Sequence, residues 1–460
     1  VAIIRDRSLV ADWNNVPIPM IVSCIQEHQK GKARYDELEA YYLGKHPILA
    51  RKKGDEHGLP NNRLVANHAK YITDIAVGYM IGDPVKYDGN NFDELKKVYD
   101  QIDIVSHDSE LAKDLSIFGE GRELYYMTSD DVPIPKATAL DPRQIFLVVD
   151  DTVEYKSLFG VHFYEKRDID NTVVGYYVNV YTENMITRYE TKDFNSQSFK
   201  LLQEPEPHYF GCVPVVEFWN NEERQGDFEQ QISLIDAYNV LMSDRVNDKE
   251  QLVDAILAIS GATLGDTLDE ASDSAKKIKL LKMLELPLGA DAKWLTKNLT
   301  ESDVEVLRDA IREDIHQFAM VPNLTDENFA ANASGVAMKY KLLGLEQLAK
   351  IKERYFIQGL RERLKLFANV LEVKGKSVDV SDVKITMTRN LPANDVEIAN
   401  MISQLSDSVP NETLIGQLSF IDDPAEQNKQ LNIQKDDELK RNQKAFNMPF
   451  GDVNDDEETK

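Results

Sequence analysis

The chain has 460 residues and a hydrophobic fraction of 42%, enough for several core-bearing units, and its 53 basic against 79 acidic residues leave a net charge of -26. Such a surface repels phosphate, which argues against a protein that wraps nucleic acid with a basic face. Two cysteines, Cys24 and Cys212, exclude a disulfide framework or a cysteine zinc site and point to a reducing setting, and no apolar run is long enough to span a bilayer.

In chain order, the first third is predicted helical, best over Val65, His68, Ile72, Ile75 and Tyr79, and this helix stops in Gly82-Asp-Pro84. From Arg122 to Phe218 the pattern changes to short runs rich in Tyr, Val, Ile and Phe: Arg122 to Met127, Gln144 to Val149, Leu158 to Tyr164 and Gly175 to Tyr181. The acids Asp130-Asp131, Asp150-Asp151 and Asp168-Ile-Asp-Asn171 between them are turn chemistry, so a mostly antiparallel sheet is expected. Asp227 and Gln230 then have the spacing of a capping box, opening one long helix that nothing breaks before Gly261. Its apolar stripe is Ile232, Ile235, Tyr238, Met242, Val246, Val253 and Ile256, and its polar middle must find partners along a thin seam, in its own chain or in copies of itself.

Gly261 to Leu299 reads as a compact interruption between long helices, with Gly265, Pro287 and Gly289. The chain returns in a helix opening at Thr300, with Val304, Leu307, Ile311, Ile315 and Phe318 as its stripe, and Pro322 ends it. A polar loop, Pro322 to Ala333, leads to a third long helix from Ser334 to about Leu371, with Gly344 and Gly359 as candidate bends, and then to a strand at Val383 to Thr388. From Asn394 the chain is helical again, thinly apolar at Ile398, Ile402 and Leu405, with Pro424 opening a last helix and an acidic, disordered tail after Gly451.

Signals of chemistry are few. Gly375-Lys-Ser377 lacks the first glycine of a phosphate loop, Gly119-Glu-Gly121 reads as a helix end before a strand, and the eight histidines have no metal-binding spacing, so no cofactor is expected. The paired acids Asp130-Asp131, Asp150-Asp151 and Asp422-Asp423 suit turns and caps, although a metal-dependent nuclease or phosphotransferase would use such pairs. Lys276, Lys277, Lys279 and Lys282 form the one dense basic cluster, suited to phosphates or to an acidic partner. On the Thr300 helix, Glu305, Asp309 and Glu313 repeat every four residues, with Arg308 and Arg312 partly offsetting them; they are either a solvated face or a surface that DNA passes without sticking.

The order of elements resembles the portal, or head-to-tail connector, proteins of tailed bacteriophages, in their siphophage type. The resemblance rests on the run from Asn62 to Val85, Leu140-Asp-Pro-Arg143, Val213-Pro-Val-Val-Glu-Phe218, Leu234-Ile-Asp-Ala-Tyr-Asn239 with Ser243, and Ser334-Gly-Val-Ala337. It implies a mainly helical α+β fold and a ring of about a dozen copies at one capsid vertex around a channel for double-stranded DNA. Residues 1–226 would be a β-rich wing, 227–258 and 300–321 paired stem helices, 259–299 a clip, and 322–333 a tunnel loop. Residues 334–391 would complete the wing, 392–446 form a crown, and 447–460 the tail.

Carried over this way, Leu324, Asp326, Glu327, Asn328, Phe329 and Asn332 would constrict the channel, with Glu305, Asp309 and Glu313 as candidates facing it. Terminase, the major capsid and scaffolding proteins and a head-tail connector are the implied partners. The protein would be a virion component assembled in the host cytoplasm and not an enzyme. A purely structural ring without DNA passage is the other reading the sequence allows.

Overall fold

The structure, a computed structural model, describes residues 2–52, 60–89, 92–131, 133–253, 256–260, 267, 269–270, 272–273, 276, 288–295, 301–324, 335–376, 378–389, 395–406, 408–416, 418, 421 and 424–446. They belong to two compact units, Val1–Asn390 and Leu391–Lys460.

The first unit opens with β1 (Ile3–Arg5), α1 (Ile18–Gln29) and α2 (Lys32–Tyr42). There follow α3 (His68–Ile81), β2 (Lys86–Asp88), α4 (Asp93–Gln101) and α5 (Ile104–Phe118). The expected helical third and its stop at Gly82 are present. The expected end of α5 is also present: Gly119 is left-handed at φ 82° and donates its N–H to the Leu115 carbonyl before β3 begins.

Eight strands make two sheets: β3 (Glu120–Met127), β4 (Pro135–Leu140), β5 (Ile145–Asp150), β6 (Ser157–Arg167), β7 (Val173–Tyr181), β8 (Met185–Thr191), β9 (Lys200–Pro207) and β10 (Val215–Trp219). With β1, five of them form a six-stranded sheet in the order β1-β5-β6-β7-β8-β9, and β10-β3-β4 form another. Every pairing in these sheets is antiparallel except β1 with β5. Asp130-Asp131 and Asp150-Asp151 lie at the connections expected of them, and Asp422-Asp423 lies outside the described residues. Asp150, for example, accepts from the Thr152 hydroxyl and from the Thr152 and Lys156 amides, which is the work of a turn rather than of a metal ligand.

The two faces of this assembly are covered differently. Helix α1 lays Ile21, Cys24 and Ile25 against Phe146, Phe159, Val161 and Val178 of the six-stranded sheet. The opposite face meets the three-stranded sheet through Ile145, Leu147, Val149, Leu124 and Val215.

Beyond the sheets lie α6 (Ile232–Val253), β11 (Ile256–Ser260), β12 (Asp291–Leu295), α7 (Glu301–Phe318), α8 (Gly335–Lys341), α9 (Leu343–Val373) and β13 (Lys384–Thr386). The third long helix is thus two, parted at Leu342 next to Gly344. Helix α9 packs Phe356, Leu360, Leu364 and Phe367 into the largest core with α3, α4, α5 and the three-stranded sheet. Gly359 allows that approach, because a Cβ there would stand 2.4 Å from the Phe218 ring.

Two buried charge clusters fix α9 in place. Arg363 is fully buried and bonds Asp108 of α5 at 2.5 Å and Glu123 of β3 at 2.9 Å. His107 at 2.5 Å and Tyr125 also bond Glu123. Burial alone would raise the Glu123 carboxyl, but Arg363 and these donors hold it at about 2. Lower on α9, Lys352 meets Asp227, which also accepts from Ser116 Oγ at 2.6 Å and Asn220 Nδ2 at 2.8 Å.

Asp227 is therefore a buried junction and not the helix cap that its spacing with Gln230 suggested. Glu229 takes the cap-like role instead: it accepts the Gly226 amide at 3.0 Å and receives Arg34 of α2 at 2.6 Å from two nitrogens. A short 3-10 turn, Glu229–Gln231, leads into α6. The helix is also shorter than predicted at its far end, because Ile256-Leu-Ala-Ile-Ser260 pairs as a strand with Asp291-Ala-Lys-Trp-Leu295. A short apolar run carries no period that separates helix from strand, and Asp291–Leu295 across the gap supplies the ladder.

The second unit holds α10 (Asp395–Leu405), α11 (Asn411–Ile415) and α12 (Pro424–Phe446). Pro424 does open the last helix. Ile433 and Leu439 of α12 are exposed. The expected disordered tail lies outside the described residues.

Candidate functional site: a helix pair and the turn at its root

Helices α6 and α7 run antiparallel. Arg245 of α6 meets Glu305 of α7 at 3.2 Å. Near the opposite end, Tyr238 and His316 both stand edge-on to the His68 ring, at 4.9 and 5.4 Å between centroids. The β11–β12 ladder ties together the two chain segments that leave and rejoin the pair, from Ile256↔Leu295 to Ser260↔Asp291.

The polar middle of α6 has a partner inside its own chain. Its buried face is Ile235, Asn239, Ser243 and Asn247, of which Asn239 and Ser243 are 0% exposed. Asn239 Oδ1 accepts the Ala66 amide at 2.8 Å, Ser243 Oγ the Leu64 amide at 3.0 Å, and Asn247 Oδ1 the Asn62 amide at 2.7 Å. Four residues of helix rise ~6 Å and two residues of extended chain ~6.7 Å, so side chains at i, i+4 and i+8 match every second amide of a strand-like segment running the other way. Of the expected apolar stripe, Ile235 is buried and Ile232, Tyr238, Met242 and Val246 are half-buried, whereas Ile256 lies beyond the helix in β11 and the Val253 side chain is outside the described residues.

One end of this ladder fixes a protonation state. Because Asn239 gives its oxygen to Ala66, its Nδ2 faces His46 Nδ1 at 2.9 Å, which must then accept. His46 Nε2 carries the proton and donates to the Tyr41 carbonyl at 3.1 Å. Burial lowers the pKa of His46, in keeping with a neutral ring. Tyr41 in turn donates to Asp236 at 2.8 Å, and Arg51 meets Asp244 at 2.6 Å, so Tyr41 and Arg51 join Asn62, Leu64 and Ala66 along one side of α6.

The predicted site residues fall as follows. Glu305 and Glu313 are exposed on α7 and Asp309 half-buried. Glu305 is engaged by Arg245, and Asp309 by Arg308 at 2.8 Å and Arg312 at 3.3 Å. Two of the three acids are thus locally neutralised, leaving Glu313 as the one without an ion pair among the described residues. Of the basic cluster only Lys276 is described; it is exposed and pairs with Asp273 at 3.2 Å. Lys277, Lys279 and Lys282 lie outside the described residues, as do Asp326, Glu327, Asn328, Phe329 and Asn332. Leu324 is described and 38% exposed.

At the C-terminal end of α7 the chain turns through Met320, left-handed at φ 56°, and buries Val321 completely. His316 Nδ1 donates to the Val321 carbonyl at 3.0 Å, so that nitrogen bears the proton. Tyr71 of α3 reaches the next residues: its hydroxyl donates to the Pro322 carbonyl at 3.2 Å and accepts the Leu324 amide at 2.9 Å. The Tyr71 ring stands edge-on to His316, 5.3 Å away. Sequence reasoning assigned no role to Tyr71, His316 or Asn247. The i, i+4, i+8 repeat of Asn239, Ser243 and Asn247 was a readable signal, whereas Tyr71 gave none, since its partner is 251 residues away.

Among the described residues no group of three or more His, Cys, Asp or Glu could hold a metal ion. No described helix is long and apolar enough to cross a membrane.

A family model described as "Phage portal protein, SPP1 Gp6-like" matches residues 21–441. A portal protein of Clostridium phage phiCD119 is 24% identical over 420 residues, spanning 85% of this chain and 90% of the relative. The portal protein of Bacillus phage SPP1 is 24% identical over 388 residues, spanning 80% and 75%. A solved structure titled "Neck of native GTA particle computed with C12 symmetry" aligns over 77% of this chain and 88% of its own at 11% identity, with a TM-score of 0.42. That score supports no statement about this chain.

Proposed function

The chain belongs to the family of phage portal proteins, the rings at a capsid vertex through which double-stranded DNA passes, and from that premise we propose how its parts divide the work. The observation that carries the reading is the family match over residues 21–441. The family is structural rather than enzymatic, its members are components of the virion capsid, and they assemble as rings with capsid and terminase or connector partners.

In this reading α6 and α7 form the stem and the segment closed by the β11–β12 ladder forms the clip. The sheets with α9 form the wing, and residues 392–446 the crown. Residues 322–333 form the tunnel loop, reaching the DNA through Leu324, Asp326, Glu327, Asn328, Phe329 and Asn332. The ring holds about a dozen copies. Val306 (70% exposed), Leu307 (51%) and Phe318 (61%) on α7 are the apolar surface a neighbouring copy would cover.

Duplex DNA carries one negative charge per ~1.7 Å, so a wall that carries Glu313 beside already paired acids keeps it mobile rather than bound. The clip, with Lys276, Lys277, Lys279 and Lys282, docks terminase during filling and the head-tail connector afterwards. The wing meets the major capsid and scaffolding proteins during assembly in the host cytoplasm. The protein itself performs no catalysis. The acid pairs at Asp130-Asp131 and Asp150-Asp151 are turn residues here, which favours this reading over a nuclease.

Native mass measurement of the purified protein should give a high-order ring. A stable monomer as the sole species would refute the ring. Deleting Asn328 to Asn332 should impair packaging or retention of DNA while leaving rings intact, and unchanged packaging would overturn the loop assignment.

A further inference from the structure

We infer that the Tyr71 hydroxyl is the group that positions the chain where it leaves α7, and thereby sets where the loop segment after Leu324 begins. The inference deepens the channel reading given above and rests on it.

Three contacts converge on the four residues from Val321 to Leu324. Val321 is fully buried, so its side chain is an apolar plug at the start of the turn. His316, one turn back on α7, ties down the Val321 carbonyl. Tyr71 then bonds both Pro322 and Leu324, as donor to the first and acceptor from the second. A single hydroxyl can do both because it has one proton and two lone pairs, whereas a turn bonding to itself would need a different backbone path. Pro322 brings no amide of its own, so its carbonyl and the Leu324 amide are the polar groups the phenol serves.

The support for Tyr71 comes from the start of its own helix, which is anchored on α6. Asn67 caps α3 by accepting the Lys70 amide at 3.0 Å, and the residues just before it are held by the ladder on α6. The first turns of α3 are thus fixed to α6, while the Tyr71 hydroxyl is fixed to the turn after α7. A displacement between α6 and α7 at this end is felt at Leu324 through one side chain. The His316 ring, in contact with both His68 and Tyr71, fills the space between them.

The test is Tyr71→Phe in the assembled ring, which keeps the aromatic contact with His316 and removes only the hydroxyl. Hydrogen exchange of a peptide covering residues 319–324 should accelerate about five- to tenfold, as expected for an amide that loses its acceptor. Ring mass and thermal midpoint should stay as in the unaltered protein. Filled heads carrying the variant should lose DNA faster than unaltered heads. Unchanged exchange would overturn the inference. So would faster exchange with unchanged DNA retention, since the hydroxyl would then hold the turn without consequence for the channel. Failure of the variant to form rings would also overturn it, by making the hydroxyl a requirement for folding. The deletion of Asn328 to Asn332 separates the two levels: if that deletion has no effect on DNA either, it is the loop assignment that fails.

Discussion

Replacing Asn239 with leucine should be costly out of proportion to the change in shape. The side chain is 0% exposed and serves two groups at once, the Ala66 amide at 2.8 Å and His46 Nδ1 at 2.9 Å. Leucine fills a similar volume but offers neither an acceptor nor a donor. A buried polar group left without a partner costs about 1–3 kcal/mol, so the two together predict a loss of about 2–6 kcal/mol. Denaturant unfolding at fixed protein concentration, followed by tryptophan fluorescence, measures it as a lowered midpoint with an unchanged slope.

Asn239→Asp is the sharper companion. The carboxylate still accepts from Ala66 but now faces the lone pair of His46, and the clash is relieved only if His46 takes a proton. That raises the folded pKa of His46 from the lowered value that burial gives it now. A raised histidine contributes stability that is fully present below its unfolded value of about 6.5 and is lost as pH rises through the folded value. Asn239→Asp should therefore lie closer to the unaltered protein at about pH 6 than at about pH 8. A leucine variant within about 1 kcal/mol of the parent, or an aspartate variant with the same deficit at both pH values, would refute the proton assignment and the ladder with it.

Lys352→Met strands Asp227 in the core and should cost about 3–5 kcal/mol, whereas Lys352→Met with Asp227→Asn should recover most of that; a double variant no better than the single would show that the pair is not coupled. Acid should destabilise the first unit through its histidines: burial holds His28, His68 and His162 at about 4, so between about pH 6.5 and 4 the unfolded chain binds protons that the folded chain does not. Asp114, pushed up to about 7 by burial, works in the opposite sense and removes about one proton from that slope. A flat stability profile from pH 6.5 to 4.5 would contradict these assignments. Glu313→Lys should slow DNA passage or increase its salt dependence more than Glu305→Gln does, because Glu305 is already paired with Arg245; equal effects in a packaging assay would show that α7 does not face the DNA.

The fold was legible wherever one face of an element is buried. The runs at Arg122, Gln144, Leu158 and Gly175 became β3, β5, β6 and β7, and Gly119 ended α5, because alternation and a left-handed glycine are local signals. β9 was missed for the complementary reason: all eight of its residues are exposed, so nothing apolar alternates. Asp227 was misread because a capping residue and a buried partner for Lys352 look alike in sequence; only Lys352, 125 residues on, separates them. For the candidate site, the alternation of acids and arginines on α7 was visible, but which acid remains unpaired depends on Arg245 across the helix pair. The polar middle of α6 pointed to partners in its own chain or in copies of itself, and its buried side faces residues 62–66 of the same chain.

That last contact has a consequence for symmetry. A helix in a bundle of identical copies can in principle turn about its own axis until its neighbours suit it, and assembly then chooses the phase. Three rungs that engage every second amide of a passing segment act like a spline on a shaft. A rotation of α6 by one residue, about 100°, would break all three at once. The angular setting of the helix is consequently fixed within each copy, and an assembly built from such copies inherits that setting ready-made.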